Sequence, residues 1–515
     1  MESQEDKKRA IKREWKRLYV FCLSFFLCFV AFRGLRDIQS TLNLTQSVGF
    51  ASLTVLYASS LLAGLTLPAV VRCQLGTKWG LVLGISLFAV YTASNYWSSA
   101  YLLLTVALFP GVGAALIWVA RGTYITTIAM EMAHLKGRNS AVDIGLFNGI
   151  FHTVSYLGTV CGNLISSLVF YGQPGDEDDG DDISSVIGQW NASAPNAETA
   201  DVSFCGMRAC GGDIESNHSV LRPPDQSTRT TLISIYLACG VLSAAVAVVF
   251  LDKIDVVEPG TRLSGKEEEV AADGERPRST WREITANIAA TFRLMTNPRM
   301  AMLIPTLLYL GVDVMFMGGH FTKFFVGCTR GIEVVGYVMM GSSVSSCISS
   351  FLIGQLMKCV SRFALFIVGG ATYLLVLVFM LVWDPDQGRL WHLVLMAVAV
   401  GFARASIATI SSTLLGMLFV CQQEAAFGNL CFWQSLGSAA ILALGIPQSM
   451  CAYHVISIVM CILVFALGMF CLLELRLKRE QTPGEKKPEK EAEGKEMTTE
   501  MLAIAEPTNN EISID

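Results

Sequence analysis

A single charged stretch, 252–299, divides an otherwise apolar chain into two comparable parts. It holds eight basic residues (Lys253, Arg262, Lys266, Arg276, Arg278, Arg282, Arg293 and Arg299) among nine acidic ones. Six apolar runs precede it, near 18–39, 49–71, 79–97, 101–128, 143–171 and 231–251. Six follow it, near 300–318, 334–357, 363–383, 389–420, 425–446 and 452–473. A helix that crosses a bilayer needs roughly 20 apolar residues, and every run approaches or exceeds that length. The expectation is an all-α polytopic membrane protein with twelve transmembrane helices in two six-helix halves, 18–251 and 300–473.

Composition agrees: 52% of residues are hydrophobic and only 16% charged, which is not the make-up of a soluble multidomain protein. The net charge of −5 says little, because sign is distributed by side of the membrane. Residues 1–17 carry seven basic side chains against four acidic ones, which places the N-terminus in the cytoplasm. Short loops follow the same rule. Arg72 and Lys78, Lys136 and Arg138, and Lys358 and Arg362 fall on the cytoplasmic side, whereas 40–48, 97–101 and 447–451 hold no Lys or Arg. The positive-inside pattern accounts for the basic residues, so nucleic-acid binding has no support. The run after Arg17 lacks a small-residue cleavage site and should remain as the first span. Twelve spans return the C-terminus to the cytoplasm, where the Lys/Glu-rich segment 474–515 is expected to be disordered.

Within the linker, Thr280 and Glu283 fit a capping box ahead of Trp281, Ile284, Ile288, Phe292 and Met295 at helical spacing. That segment is an amphipathic helix lying either on the inner membrane surface or beneath the bundle. The one large outer loop, 172–229, contains eleven acidic and three basic residues. Its sequons at Asn191 and Asn217 are expected to be glycosylated, and a third at Asn43 sits closer to the bilayer. The run Asp176–Asp182 fails the spacing of a calcium loop and reads as a solvated acidic stretch. Cys205 and Cys210, close together in an oxidising compartment, are expected to form a local disulfide. Cys328 and Cys451 also fall in outer loops and are candidates for a second. No metal site and no cofactor is expected.

Charged side chains inside spans cost several kcal/mol unless paired or hydrated, so each is a functional candidate. Arg33, Arg36 and Asp37 lie in the first span, Arg121 in the fourth, Asp313 in the seventh and Arg404 in the tenth. Arg33 and Arg36 either face the interior or snorkel to the outer interface. His152 and His320 have no acidic partner at an obvious spacing and read as structural. Gly111-Val-Gly113 follows no strand, so it serves close helix packing rather than phosphate binding.

Particular residues carry a family resemblance. They are Gly34-Leu35, Gln39-Ser40 and Leu42-Asn43 at the end of the first span, then Ala51–Ser59 and Leu75–Trp79. Gly111–Ala115 follows, with Trp118 and Tyr124–Thr126, and then Gly162–Phe170, Cys205-Gly206 and Cys210. The second half adds Cys328-Thr329, Gly336–Met339, Ala425–Asn429, Trp433 and Gly437. Together these resemble the unc-93 homologue A family, a branch of the major facilitator superfamily, over nearly all of 18–473. The two-halves-and-linker plan is that of the superfamily. The chain departs from the pattern in the tenth span, where Arg404 stands at a position the family gives to an acidic residue. Arg33 and Arg36 replace uncharged polar residues, and the facilitator loop motif after the second span keeps Gly76 and Lys78 but lacks its aspartate.

The resemblance implies that spans one, four, seven and ten line a central cavity. Arg33, Arg121, Asp313 and Arg404 would then face it, with Asp313 and Arg404 as a candidate pair. Such a cavity would be electropositive and suited to an anionic metabolite or lipid headgroup. The family includes a regulator of a two-pore potassium channel and a trafficking partner of endosomal receptors. The expectation is therefore a non-enzymatic protein that regulates or escorts another membrane protein, an ion channel or receptor subunit, among membrane lipids. Secondary transport of a small anionic solute or lipid is the alternative. Neither tail contains a tyrosine-based sorting signal, which favours the plasma membrane over endosomes.

Overall fold

The apolar runs fold as helices and the charged linker supplies one short helix between them. The computed structural model describes residues 4–42, 48–71, 75–97, 99–137, 140–171, 205–210, 226–254, 281–330, 333–383, 390–444 and 450–481. Before the linker come α1 (Gln4–Leu42), α2 (Val48–Val70), α3 (Gly76–Ser94), α4 (Ala100–Val106), α5 (Leu108–Lys136), α6 (Ser140–Tyr171) and α7 (Gln226–Phe250). The linker helix is α8 (Trp281–Met295). After it come α9 (Pro298–Met315), α10 (Glu333–Leu356), α11 (Arg362–Val382), α12 (Leu390–Leu418), α13 (Gln423–Leu444) and α14 (Ala452–Gln481). Among the described residues, ten helical stretches are long and apolar enough to cross a membrane, with α4 and α5 counted as one. A shorter apolar helix, Ala51–Leu67, lies within α2. The chain is an all-helical, multi-pass membrane protein.

Side-chain spacing decides which faces are buried. Along α1, Leu18, Phe21, Phe25, Phe29 and Phe32 recur every three or four residues and all are buried. Phe21 stacks on Tyr124 of α5 at 4.8 Å, and Phe25 meets Phe151 of α6 edge-on at 5.0 Å. Val249 and Phe250 of α7, Leu375 and Val382 of α11 and Phe465 of α14 stand exposed. So large an apolar surface would drive association in water, whereas in a bilayer it contacts lipid.

The two halves of the chain meet chiefly where α6 packs on α10 and α2 on α13. Close approaches occur at several levels, among them Gly336 of α10 against Ser167 of α6 at the end away from the linker. A Cβ on Gly149 of α6 would come 2.8 Å from the Cα of Gly354 on α10, and one on Gly122 of α5 would collide with the Phe427 ring of α13. Only glycine allows these crossings. Gly149→Val is expected to destabilise the protein by about 1–3 kcal/mol through overpacking, read as a lower Tm of the purified protein.

The linker helix is packed beneath the helices: Asn429 of α13 donates to the Thr291 carbonyl at 3.1 Å, and Thr291 and Leu294 are buried. Phe292 and Arg293 face outward. Thr280 and the side chains of Trp281 and Glu283 lie outside the description, so the capping box does too. Asn297 caps the next helix, accepting from the Arg299 amide at 2.9 Å ahead of Pro298.

Two expectations are corrected. The last helix runs to Gln481, into the segment expected to be disordered. It continues because Glu474 and Glu480 find partners: Arg362 Nε reaches Glu474 at 2.7 Å and Arg299 Nη2 reaches Glu480 at 2.7 Å. The second concerns the cysteines. Cys205 bonds Cys328, and Cys210 bonds Cys451, so neither the Cys205–Cys210 pair nor the Cys328–Cys451 pair forms. A tight turn, Gly206–Arg208, entered through Gly206 at φ +72°, separates Cys205 from Cys210. The Ala209 carbonyl accepts from the Ala452 amide at 2.8 Å, which seats the segment on the start of α14. Asn43, Asn191, Asn217 and the acidic run 176–182 lie outside the described residues.

Candidate functional site

Charges on four helices converge in the interior between the halves. Asp313 of α9 and Arg404 of α12 form a two-pronged pair, Nε to Oδ2 at 2.5 Å and Nη2 to Oδ1 at 3.0 Å. Tyr373 of α11 donates its hydroxyl to the same Oδ1 at 2.8 Å. The Asp313 side chain is 2% exposed and that of Arg404 13%. A planar guanidinium matches a carboxylate fork, and so dry a pair holds only with such geometry. Tyr309 packs edge-on against Tyr373, with ring centroids 5.6 Å apart. Just beyond Asp313, α9 widens into a π-helical stretch, Phe316–Gly327, a form often found beside functional positions.

Arg36 is neutralised within its own helix. Its Nη2 lies 2.7 Å from Asp37 Oδ1, and Asn163 of α6 donates to Asp37 Oδ2 at 3.4 Å. Neither residue snorkels unpaired.

Arg33 and Arg121 are different, since neither makes an ion pair among the described residues. Arg33 Nη1 donates to Thr159 of α6 at 3.2 Å, and its guanidinium lies 4.1 Å from the Phe29 ring and 5.7 Å from Tyr156. Arg121 is 0% exposed. Its Nη2 donates to Asn148 at 3.1 Å and lies 3.2 Å from His152 Nε2. The guanidinium sits over Phe151 at 4.3 Å and Trp118 at 5.2 Å. Its Nε and Nη1 are buried with no hydrogen-bond partner among the described residues. Ring quadrupoles return part of the lost hydration of a buried cation and leave its charge uncancelled.

One helix stitches these groups together. Tyr156 of α6 lies 5.7 Å from the Arg33 guanidinium and stacks on His152 with ring centroids 6.2 Å apart. His152 Nε2 lies 3.3 Å from the Ser412 hydroxyl on α12, so the first-half locus touches the second half. Asn148, His152, Tyr156 and Thr159 were not foreseen as site residues. Their signal was available, since with Ser155, Asn163 and Ser166 they repeat every three or four residues along an otherwise apolar helix. His320 plays no part in this locus; its Nε2 lies 3.0 Å from the Ile441 carbonyl. Among the described residues no group of three or more His, Cys, Asp or Glu is placed to hold a metal ion.

The helical arrangement resembles that of a solved transporter of the major facilitator superfamily, FucP in the outward conformation, which superposes with a TM-score of 0.54 at 14% identity, over 88% of this chain and 98% of that one. At that identity the likeness concerns the fold. Sequence carries the assignment further. Residues 40–385 match the family described as "Ion channel regulatory protein UNC-93". The protein unc-93 homolog A of Xenopus laevis is 31% identical over 466 residues, 90% of this chain and 93% of its own length. The putative potassium channel regulatory protein unc-93 of Caenorhabditis elegans is 27% identical over 452 residues, 86% of this chain and 59% of its own length. The chain belongs to the UNC-93 family.

Proposed function

We propose that this protein regulates another membrane protein, with a potassium channel as the leading partner class, and does so without enzymatic chemistry. The observation that carries the reading is the match of 40–385 to a family described as ion channel regulatory. The name of the Caenorhabditis elegans relative supplies the potassium channel. In this reading the ten apolar helices, with α2 and α3, make twelve crossings of the plasma membrane, and both termini lie in the cytoplasm. Glycans on Asn191 and Asn217, and less so on Asn43, would then face outward beside the cysteine-bonded segment 205–210. That segment gives a channel ectodomain a fixed surface, because disulfides fasten it to two points of the second half.

The test is whole-cell current from a co-expressed two-pore-domain potassium channel, with surface channel measured in the same cells. A changed current at unchanged surface level is expected. No change in current together with no co-purification of the channel overturns the reading and leaves transport of a small anionic solute in its place.

A further inference from the structure

Of the arginines at the interior locus, two are cancelled and two are not. Asp313 neutralises Arg404 and Asp37 neutralises Arg36, while Arg33 and Arg121 keep their charge. An unpaired cation held out of water costs several kcal/mol, and the polar neighbours here, Thr159 for Arg33 and Asn148 and His152 for Arg121, are not anions and leave the charge uncancelled. We propose that Arg33 and Arg121 are the two poles of a binding site for a small organic carboxylate, an inference that stands apart from the channel reading.

Three observations define the ligand. Arg121 is fully buried and offers Nε and Nη1 with no partner among the described residues, and these two carry most of a guanidinium's donors. The guanidinium faces are covered by aromatic rings, so an acceptor must approach from the edge, as a planar carboxylate does. The same rings give an apolar body somewhere to lie. Inorganic phosphate can use the same edges but has no apolar body to lay against the rings.

Access follows from exposure. Arg33 is partly exposed, as are Arg36 and Asp37 near it, whereas Arg121 lies deeper. Toward the linker end the crossings of Gly122 with Phe427 and Gly149 with Gly354 close the bundle. The carboxylate therefore enters past Arg36 and Asp37, meets Arg33 first and ends on Arg121. His152, in contact with both Arg121 and Ser412, reports occupancy to the second half.

The test uses full-length protein in nanodiscs and follows Tm against benzoate, with sodium chloride of equal ionic strength and inorganic phosphate as comparators. A saturable rise of several degrees with benzoate, absent with chloride and weaker with phosphate, is expected. Arg121→Met should raise Tm without ligand, because it removes an uncancelled buried charge, and should abolish the benzoate shift. Arg33→Gln should fold normally and weaken benzoate at least tenfold. A purely structural Arg121 gives the reverse signature, with a lower Tm in Arg121→Met and no benzoate shift in the unmodified protein. That result overturns the proposal. So does a benzoate shift that survives in both variants, or a saturable phosphate shift that exceeds the benzoate one.

Discussion

Replacing Asp313 alone by Ala is expected to destabilise the protein by about 3–5 kcal/mol, the cost of stranding a buried charge whose partner has been removed. The geometry sets this magnitude. Arg404 loses both of its carboxylate contacts, at 2.5 and 3.0 Å, and Tyr373 loses its acceptor at 2.8 Å. Arg404→Ala should cost a similar amount by leaving Asp313 uncompensated. The paired replacement Asp313→Leu with Arg404→Leu should recover most of the loss, since a buried ion pair exchanged for apolar side chains is often neutral or better. Thermal unfolding of the purified protein measures all three. Single variants as stable as the parent would mean that water hydrates the pair and that it does not hold α9 to α12. Tyr373→Phe isolates the third member at about 1.5–3 kcal/mol, the usual worth of a hydrogen bond to a charged group.

Within the locus, sequence and structure divide along physical lines. Arg33, Arg121, Asp313 and Arg404 stand out in the sequence because hydropathy alone makes a charge in an apolar run anomalous. That Asp313 meets Arg404 depends on how α9 and α12 cross, which hydropathy does not encode. The remaining contributors, Asn148, His152, Tyr156 and Thr159, are polar residues that a helix tolerates singly, and only their repeat along α6 marks them. Arg33 carries the lesson best. Its position near the C-terminal end of α1 suits snorkelling as well as interior placement, and the choice is made by Thr159, Phe29 and Tyr156 around it.

The fold was legible to the same extent. Helix positions follow from run length, and the extension of α14 to Gln481 was missed because hydropathy stops at the first carboxylate. Glu474 remains helical there by virtue of Arg362, which lies far away in the sequence. Long-range partners are what a window over the sequence omits.

The cysteines show this most sharply and yield the second large effect. Sequence proximity favours Cys205 with Cys210, but the turn Gly206–Arg208 sends them to opposite partners, Cys328 after the π-helical stretch and Cys451 ahead of α14. The sequence separations are 123 and 241 residues. Loops of that length remove the most freedom from the unfolded chain, and loss of a native disulfide typically costs about 2–5 kcal/mol. Cys205→Ser and Cys328→Ser should therefore be equally destabilised, and the double variant no worse than either alone, because both changes break one bond. Cys210→Ser and Cys451→Ser should behave the same way. Crossing the pairs, as in Cys205→Ser with Cys451→Ser, should add the two losses. A local Cys205–Cys210 bond predicts a different table, with those two equivalent to each other and Cys328→Ser without effect. Peptide mapping of the non-reduced protein separates the two directly, since only the long-range pattern joins peptides from the two halves of the chain. It also tests whether the segment 205–210 is fixed to the second half, as the channel reading requires of its outer surface.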